Sequence, residues 1–387
     1  MGIKLAYLFD QPLPLRAAEC EQLINTISAL SKIDYDITLF IPGDRTKPAP
    51  TLQELQSFYR VDGNFRVEAI YSVFPAQRLI EKTVHPLMCS TLLRKKLRGF
   101  DLVYTRNIPS IFASLAAGVP CLYDTYRPWP AQYYHALVPM FRAFFKHPKF
   151  MGIALHSEYA RQSYIDFGMP EDKLLTAHNG FNPDLFKPVL SQSEAKAKAG
   201  IESEQPLALY AGRMDPEKGI GSLIDLAEQT PECNFIFIGS HGHGPLEERM
   251  DKLPNVQYTG WVSPDELTQF YYAADILMLP LTTLMYKKNG NTVLPIKLYS
   301  YFAAGRAIFA ASAPDVTELL KDGENARLVP QGDAEAAIEK FHELVHSQEL
   351  RDHLAEGARI SSMSLTWDAR AELLDGFIRR RLEAISK

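Results

Sequence analysis

Cysteine is scarce in this sequence, with four among 387 residues. Cys20, Cys89, Cys121 and Cys233 stand far apart and form no C-x-x-C pair, which excludes a zinc ribbon, a redox pair and a dense disulfide framework. All four are expected to be reduced. A long apolar run is also missing. The nearest, IFASLAAGVPCLY from Ile111 to Tyr123, is broken by Ser, Gly and Pro, short of the roughly 18 apolar residues a membrane helix needs. The opening MGIKLAYLFD meets Asp10 after a short apolar stretch and has no small-residue cleavage site, so it reads as a first strand, and a cytoplasmic location is expected.

An excess of positive charge is absent too. Lys and Arg number 41 against 46 Asp and Glu, a net charge of −5, which argues against a nucleic-acid partner. The balance is uneven along the chain: residues 1–190 carry +4 and residues 191–387 carry −9. The dinucleotide fingerprint is missing as well. FIGSHGHGPLEERM places Gly239, Gly242 and Gly244 after a strand, but the spacing is not G-x-G-x-x-G and no acidic residue closes a strand about 20 residues later. That disfavours a nicotinamide dehydrogenase. His241 and His243 have no third ligand at supporting spacing, so no metal is expected.

What is present is an ordinary globular composition, 46% apolar and 22% charged, long enough for two cores. Short β-branched and aromatic runs alternate with helical-period stretches. Predicted strands are Ile3–Phe9, Ile37–Ile41, Phe65–Val73, Leu102–Tyr104, Cys121–Tyr123, Met151–Leu155 and Leu174–Ala177. After the polar stretch SQSEAKAKAGIESEQ the pattern restarts with Leu207–Ala211, Phe235–Ile238, Val256–Tyr258, Ile276–Leu279, Ala307–Ala311 and Leu328–Val329. Near-continuous apolar strands fit parallel pairing with both faces covered. The reading is α/β: two doubly wound Rossmann-like domains, 1–190 and 206–365, with a last helix at about 366–387 packing back on the first. Ligands of such sheets bind beyond the carboxyl ends of the strands.

The loop LYAGRMDPEKGI puts Gly212 at a strand end, then Arg213 and Lys218-Gly219. A guanidinium fork beside an ammonium suits a diphosphate. Further on, NGNTVLPIKLYSYFAAGRAIFA reads as a helix opened by Pro295 and closed by Gly305, with free amides near Thr292, Val293 and Leu294.

The order of these pieces resembles retaining GT-B glycosyltransferases, specifically glycosyltransferase family 4. HSEYARQSYIDFGMPEDKLLTAHNGFNPDLFKP, AGRMDPEKGI, VQYTGWVSPDELTQFYYAADILMLP, KLYSYFAAGRAIFA with APDVTELLKDGENARLVPQGD, and SLTWDARAELL each look like a block of that family. The resemblance implies two domains facing across a cleft, a crossover helix, and transfer of a sugar from a nucleotide-diphosphate sugar to a glycan, lipid-linked or small-molecule acceptor. It implies no metal and no cofactor beyond the donor. Arg213 and Lys218 map to the cations on the leaving diphosphate. Donor contacts fall on Gly212, Gly239, Tyr258, Gly260, Trp261, Val262, Asn291, Thr292, Val293, Leu294, Lys297 and Ser300.

Two departures stand out. Thr292 and Ser300 occupy the places of the family's E-x7-E glutamates, so a silent sugar-nucleotide or glycan binding protein is the alternative reading. CLYDTYRPWP replaces a strand-end histidine, and DQPLPLRAAEC replaces a glycine-rich loop. Acceptor contacts are therefore assigned to Arg16, Arg106, Asn107, Asp124, Tyr126 and Arg127. The basic stretch Arg78–Arg98 and the aromatic stretch PMFRAFFKHPKF are expected as peripheral contacts with anionic membrane.

Overall fold

The computed structural model describes residues 2–43, 48–71, 93–281 and 294–386. Two compact units divide the chain: Met1–Asn179 with Trp367–Lys387, and Gly180–Thr366.

In the first unit seven parallel strands run β1 (Ile3–Leu8), β2 (Tyr35–Gly43), β3 (Arg66–Tyr71), β4 (Leu102–Thr105), β5 (Cys121–Thr125), β6 (Phe150–Leu155) and β7 (Leu174–Thr176) in chain order. Their order across the sheet is β3-β2-β1-β4-β5-β6-β7. Chain direction across the sheet reverses between β1 and β4, a switch point at whose carboxyl ends such sheets take ligands. β4, β5 and β6 are buried along their whole length, as sheets covered on both faces must be. Helix α1 (Ala18–Ser31) and the last helix pack together on this unit.

The second unit repeats the plan with β8 (Leu207–Ala211), β9 (Asn234–Ile238), β10 (Val256–Thr259), β11 (Ile276–Met278), β12 (Ala307–Ala311) and β13 (Arg327–Val329). The order is β10-β9-β8-β11-β12-β13, again all parallel. Its switch point lies at the end of β8, where Gly212 and Arg213 follow.

The boundary falls earlier than the polar stretch after residue 190. Phe181 bridges to Thr366, Phe186 is buried in the second unit's core, and the Tyr272 hydroxyl donates to the Phe186 carbonyl at 2.9 Å. Apolar anchoring outweighs the compositional cue. PMFRAFFKHPKF also differs from expectation: Phe141, Phe144 and Phe145 are buried in the first unit's core with Phe150. Of Arg78–Arg98, residues 78–92 lie outside the described residues. Among the described residues no helix is long and apolar enough to cross a membrane.

Candidate functional site

Three loops are laced together at the carboxyl ends of β8, β9 and β10. The Gly212 amide donates to the Ile238 carbonyl at 2.8 Å, and the Gly239 and Ser240 amides donate to the Thr259 carbonyl at 3.0 and 3.1 Å. Gly212 and Gly239 hold φ of +147° and +111°, a region L side chains rarely adopt. A Cβ on Gly239 would meet the Gly212 carbonyl oxygen at 2.5 Å, and a Cβ on Gly212 would strike the Lys297 ammonium. At Gly239 the obstacle is backbone, and at Gly212 it is the end of a flexible side chain.

Beyond Gly212, residues Pro216–Lys218 make one 3-10 turn and Gly219 at φ +75° starts the helix Ile220–Gln229. Asp215 is committed to this turn, its Oδ1 accepting from the Glu217 amide at 3.0 Å. Among the described residues no ion pair joins Asp215 or Glu217 to Arg213 or Lys218. Burial, and after it the charge of Arg213, lower the pKa of Lys218, and the more weakly felt charge of Asp215 does not offset them. Arg213 itself is exposed.

Lys297 completes the group. It opens a helix, Lys297–Ala304, capped by Gly305 at φ +58°. The helix starts two residues after the expected opening at Pro295, and the Pro295 and Ile296 carbonyls accept from the Leu298 and Tyr299 amides of its first turn. Asn291, Thr292 and Val293 lie outside the described residues, and Leu294 is buried. The Lys297 Nζ sits 3.8 Å from the centroid of the Tyr210 ring, a cation–π distance. Burial and the nearby Lys218 charge put its pKa well below the usual lysine range. Ser300, one turn on, is partly buried.

Around this group, Tyr258 donates its hydroxyl to Asp251 at 3.0 Å, Val262 packs on the core and Trp261 is about half exposed. Gly260 accepts from the Gly239 amide at 3.2 Å.

In the first unit the expected acceptor residues divide. Asp124 has no exposure, and both of its oxygens are engaged within the unit. Arg370, on the last helix Trp367–Ser386, donates Nη2 to Oδ2 at 2.7 Å, His156 bonds Oδ1 at 2.5 Å, and Tyr104 donates as well. Burial opposes the Asp124 charge, but His156 and Arg370 outweigh it and hold the carboxyl far below its usual range. Burial pushes His156 down to about 4 against the pull of Asp124, so at neutral pH the imidazole is the Nε2–H tautomer donating to the carboxylate. Asp124 therefore positions its neighbours and meets no solvent.

Asn107 is likewise committed to the fold. Its Oδ1 caps the helix Ile108–Ala117 by accepting from the Ser110 amide, and its Nδ2 donates to Asp10 at 2.8 Å. Arg106 donates to Gln22 and lies 5.9 Å from the Tyr126 ring. Arg127 lies over both Tyr126 and Trp129, at 5.2 and 5.0 Å. Arg16 is exposed in the loop after β1. Sequence reasoning misses His156, Arg370 and Tyr210. The one available signal is that His156 directly follows an apolar strand.

Two parallel, doubly wound Rossmann-like units of this kind define the GT-B fold of glycosyltransferases. Residues 191–361, within the second unit, match the family model described as glycosyl transferases group 1. The crystal structure of Anabaena HepE in complex with UDP-glucose matches with a TM-score of 0.72 at 16% identity, covering 98% of this chain and 100% of that one. Sucrose-phosphate synthase from Thermosynechococcus elongatus gives 0.76 at 17% identity, over 99% and 100%. In sequence the chain is 28% identical to the sulfoquinovosyl transferase SQD2 of Arabidopsis thaliana over 50% of its own length and 37% of SQD2. The chain spans about half or less of the length of the curated relatives it matches.

Proposed function

We propose that this protein transfers a sugar from a nucleoside diphosphate sugar to a hydroxyl of a glycan, lipid-linked or small-molecule acceptor, with retention at the anomeric carbon. One observation carries the reading. At the switch point of the second sheet, Arg213, Lys218 and Lys297 are gathered without a carboxylate paired to any of them among the described residues. Such a cluster, beside glycines that open the backbone to close approach, suits a diphosphate.

The chemistry follows from charge. As the anomeric C–O bond breaks, negative charge grows on the departing diphosphate, and fixed cations aimed at it lower the barrier. The acceptor oxygen forms the new bond on the same face and its proton passes to the leaving phosphate oxygen. Charge is met by side chains, so no metal enters the scheme. In this reading Tyr258, Gly260, Trp261 and Val262 border the nucleobase. Asn291, Thr292, Val293, Leu294 and Ser300 serve the sugar and ribose. The acceptor meets Arg16, Arg106, Tyr126 and Arg127, with Asn107 and Asp124 as supports.

The binding of UDP-glucose to HepE makes uridine donors the first to try. The experiment is a panel of nucleotide sugars followed by release of free nucleoside diphosphate, with and without chelator. A nucleotide sugar consumed by the wild type and spared by Arg213→Ala supports the reading. Undiminished turnover by Arg213→Ala overturns it.

A further inference from the structure

Lys297 is placed unlike the other two cations. Its ammonium lies against the face of Tyr210, in space that exists because residue 212 has no Cβ. Lys218 is the one charge that acts on it among the described residues, and it repels. The turn after β8 also bears Arg213, Asp215 and Glu217, and β8 bears Tyr210. On its own helix the titratable groups are Tyr299 and Tyr301. The helices Pro264–Ala273 and Gln348–Ser362 and the turn Pro183–Phe186, which pack on this helix, carry Asp265, Glu266, Tyr271, Tyr272, Glu349, Arg351, Asp352, His353, Glu356, Arg359 and Asp184. None of these compensates Lys297. Among the described residues no carboxylate pairs with the Lys297 ammonium.

We propose that the diphosphate of the donor enters together with one proton, which lodges on the Lys297 amine as the phosphate oxygens take their places. The proton comes from the buffer and forms the third N–H bond on Nζ, and no other bond changes. This rests on the donor-site reading above and adds that donor binding is linked to proton uptake. Burial and Lys218 depress the pKa of the free site and a bound anion raises it, so affinity is constant at low pH. It then falls about tenfold per pH unit once the pH exceeds the free-site value.

The test is titration calorimetry with UDP-glucose, ADP-glucose and GDP-mannose, whose diphosphate diesters do not titrate in this range. Titrations run at steps from about pH 6 to about pH 8.5, below the range in which the uracil and guanine N–H groups lose their protons, in pairs of buffers of different ionisation enthalpy. For a sugar that binds, the wild type should show uptake rising toward about one proton per ligand. Lys297→Met should bind more weakly with no uptake. Lys297→Arg, charged at every pH tested, should bind with no uptake and no loss of affinity as pH rises. Binding by the wild type with no uptake at any pH overturns the proposal, as does uptake retained in Lys297→Met. Failure of all three sugars to bind overturns the donor-site reading and this proposal together, whereas binding without uptake overturns this proposal alone.

Discussion

Arg370 reaches from the last helix to Asp124 at the end of β5, 246 residues away in sequence, and donates to its Oδ2 at 2.7 Å with both side chains almost wholly buried. The same guanidinium donates to the carbonyls of Ala177 and His178. The pair holds the chain's last helix to a strand end beside the switch point of the first unit.

Breaking a buried pair by removing one partner leaves an uncompensated charge, at a cost of about 3–5 kcal/mol. Arg370→Met and Asp124→Asn should each lose stability on that scale in urea unfolding. Because the two residues share one network, the double variant should lose clearly less than the sum of the singles.

His156 makes the first unit sensitive to acid. Its folded pKa, about 4, lies below the roughly 6.5 of an unfolded histidine. The unfolded chain therefore binds the extra proton as pH falls through that window, and stability declines from about pH 6.5 toward pH 4. The loss should approach roughly 3 kcal/mol at the lower end. Urea midpoints across this range should show the slope in wild type, and His156→Gln should remove most of it.

Gly239→Ala forces a Cβ against the Gly212 carbonyl at a positive φ. A loss of about 1–3 kcal/mol in thermal unfolding is expected. At Gly212 the obstacle is the end of a flexible side chain instead of backbone. Gly212→Ala should therefore displace the Lys297 ammonium, and weaken nucleotide binding more than it lowers Tm.

Strand positions are legible because most are short β-branched or aromatic runs buried in the sheet, and among the described residues each of the thirteen predicted runs overlaps a strand, with ends that differ by a residue or two. The loop bearing Arg213 and Lys218 is legible for a related reason, since a glycine at a strand end followed by two cations is a local pattern. The Asp124 network is not. Its members come from Tyr104, Asp124, His156 and Arg370, and sequence spacing contains no trace of that meeting. Asp124 reads as an acceptor contact because the arginine that engages it, Arg370, lies on the last helix. The unit boundary is displaced for a similar reason: a polar stretch looks like a linker, yet the apolar Phe181 and Phe186 before it already belong to the second core.

The central claim is that Arg213, Lys218 and Lys297 clasp a diphosphate. Its most direct test is the affinity of wild type and Lys218→Ala for a nucleoside, its monophosphate and its diphosphate, for uridine, adenosine and guanosine in turn. One base series should show the diphosphate bound at least about 100-fold tighter than the nucleoside, a gap of roughly 2.7 kcal/mol. Lys218→Ala should shrink that gap while leaving nucleoside binding unchanged. Equal affinity for nucleoside and diphosphate in every series, or a gap untouched by the substitution, would contradict the account.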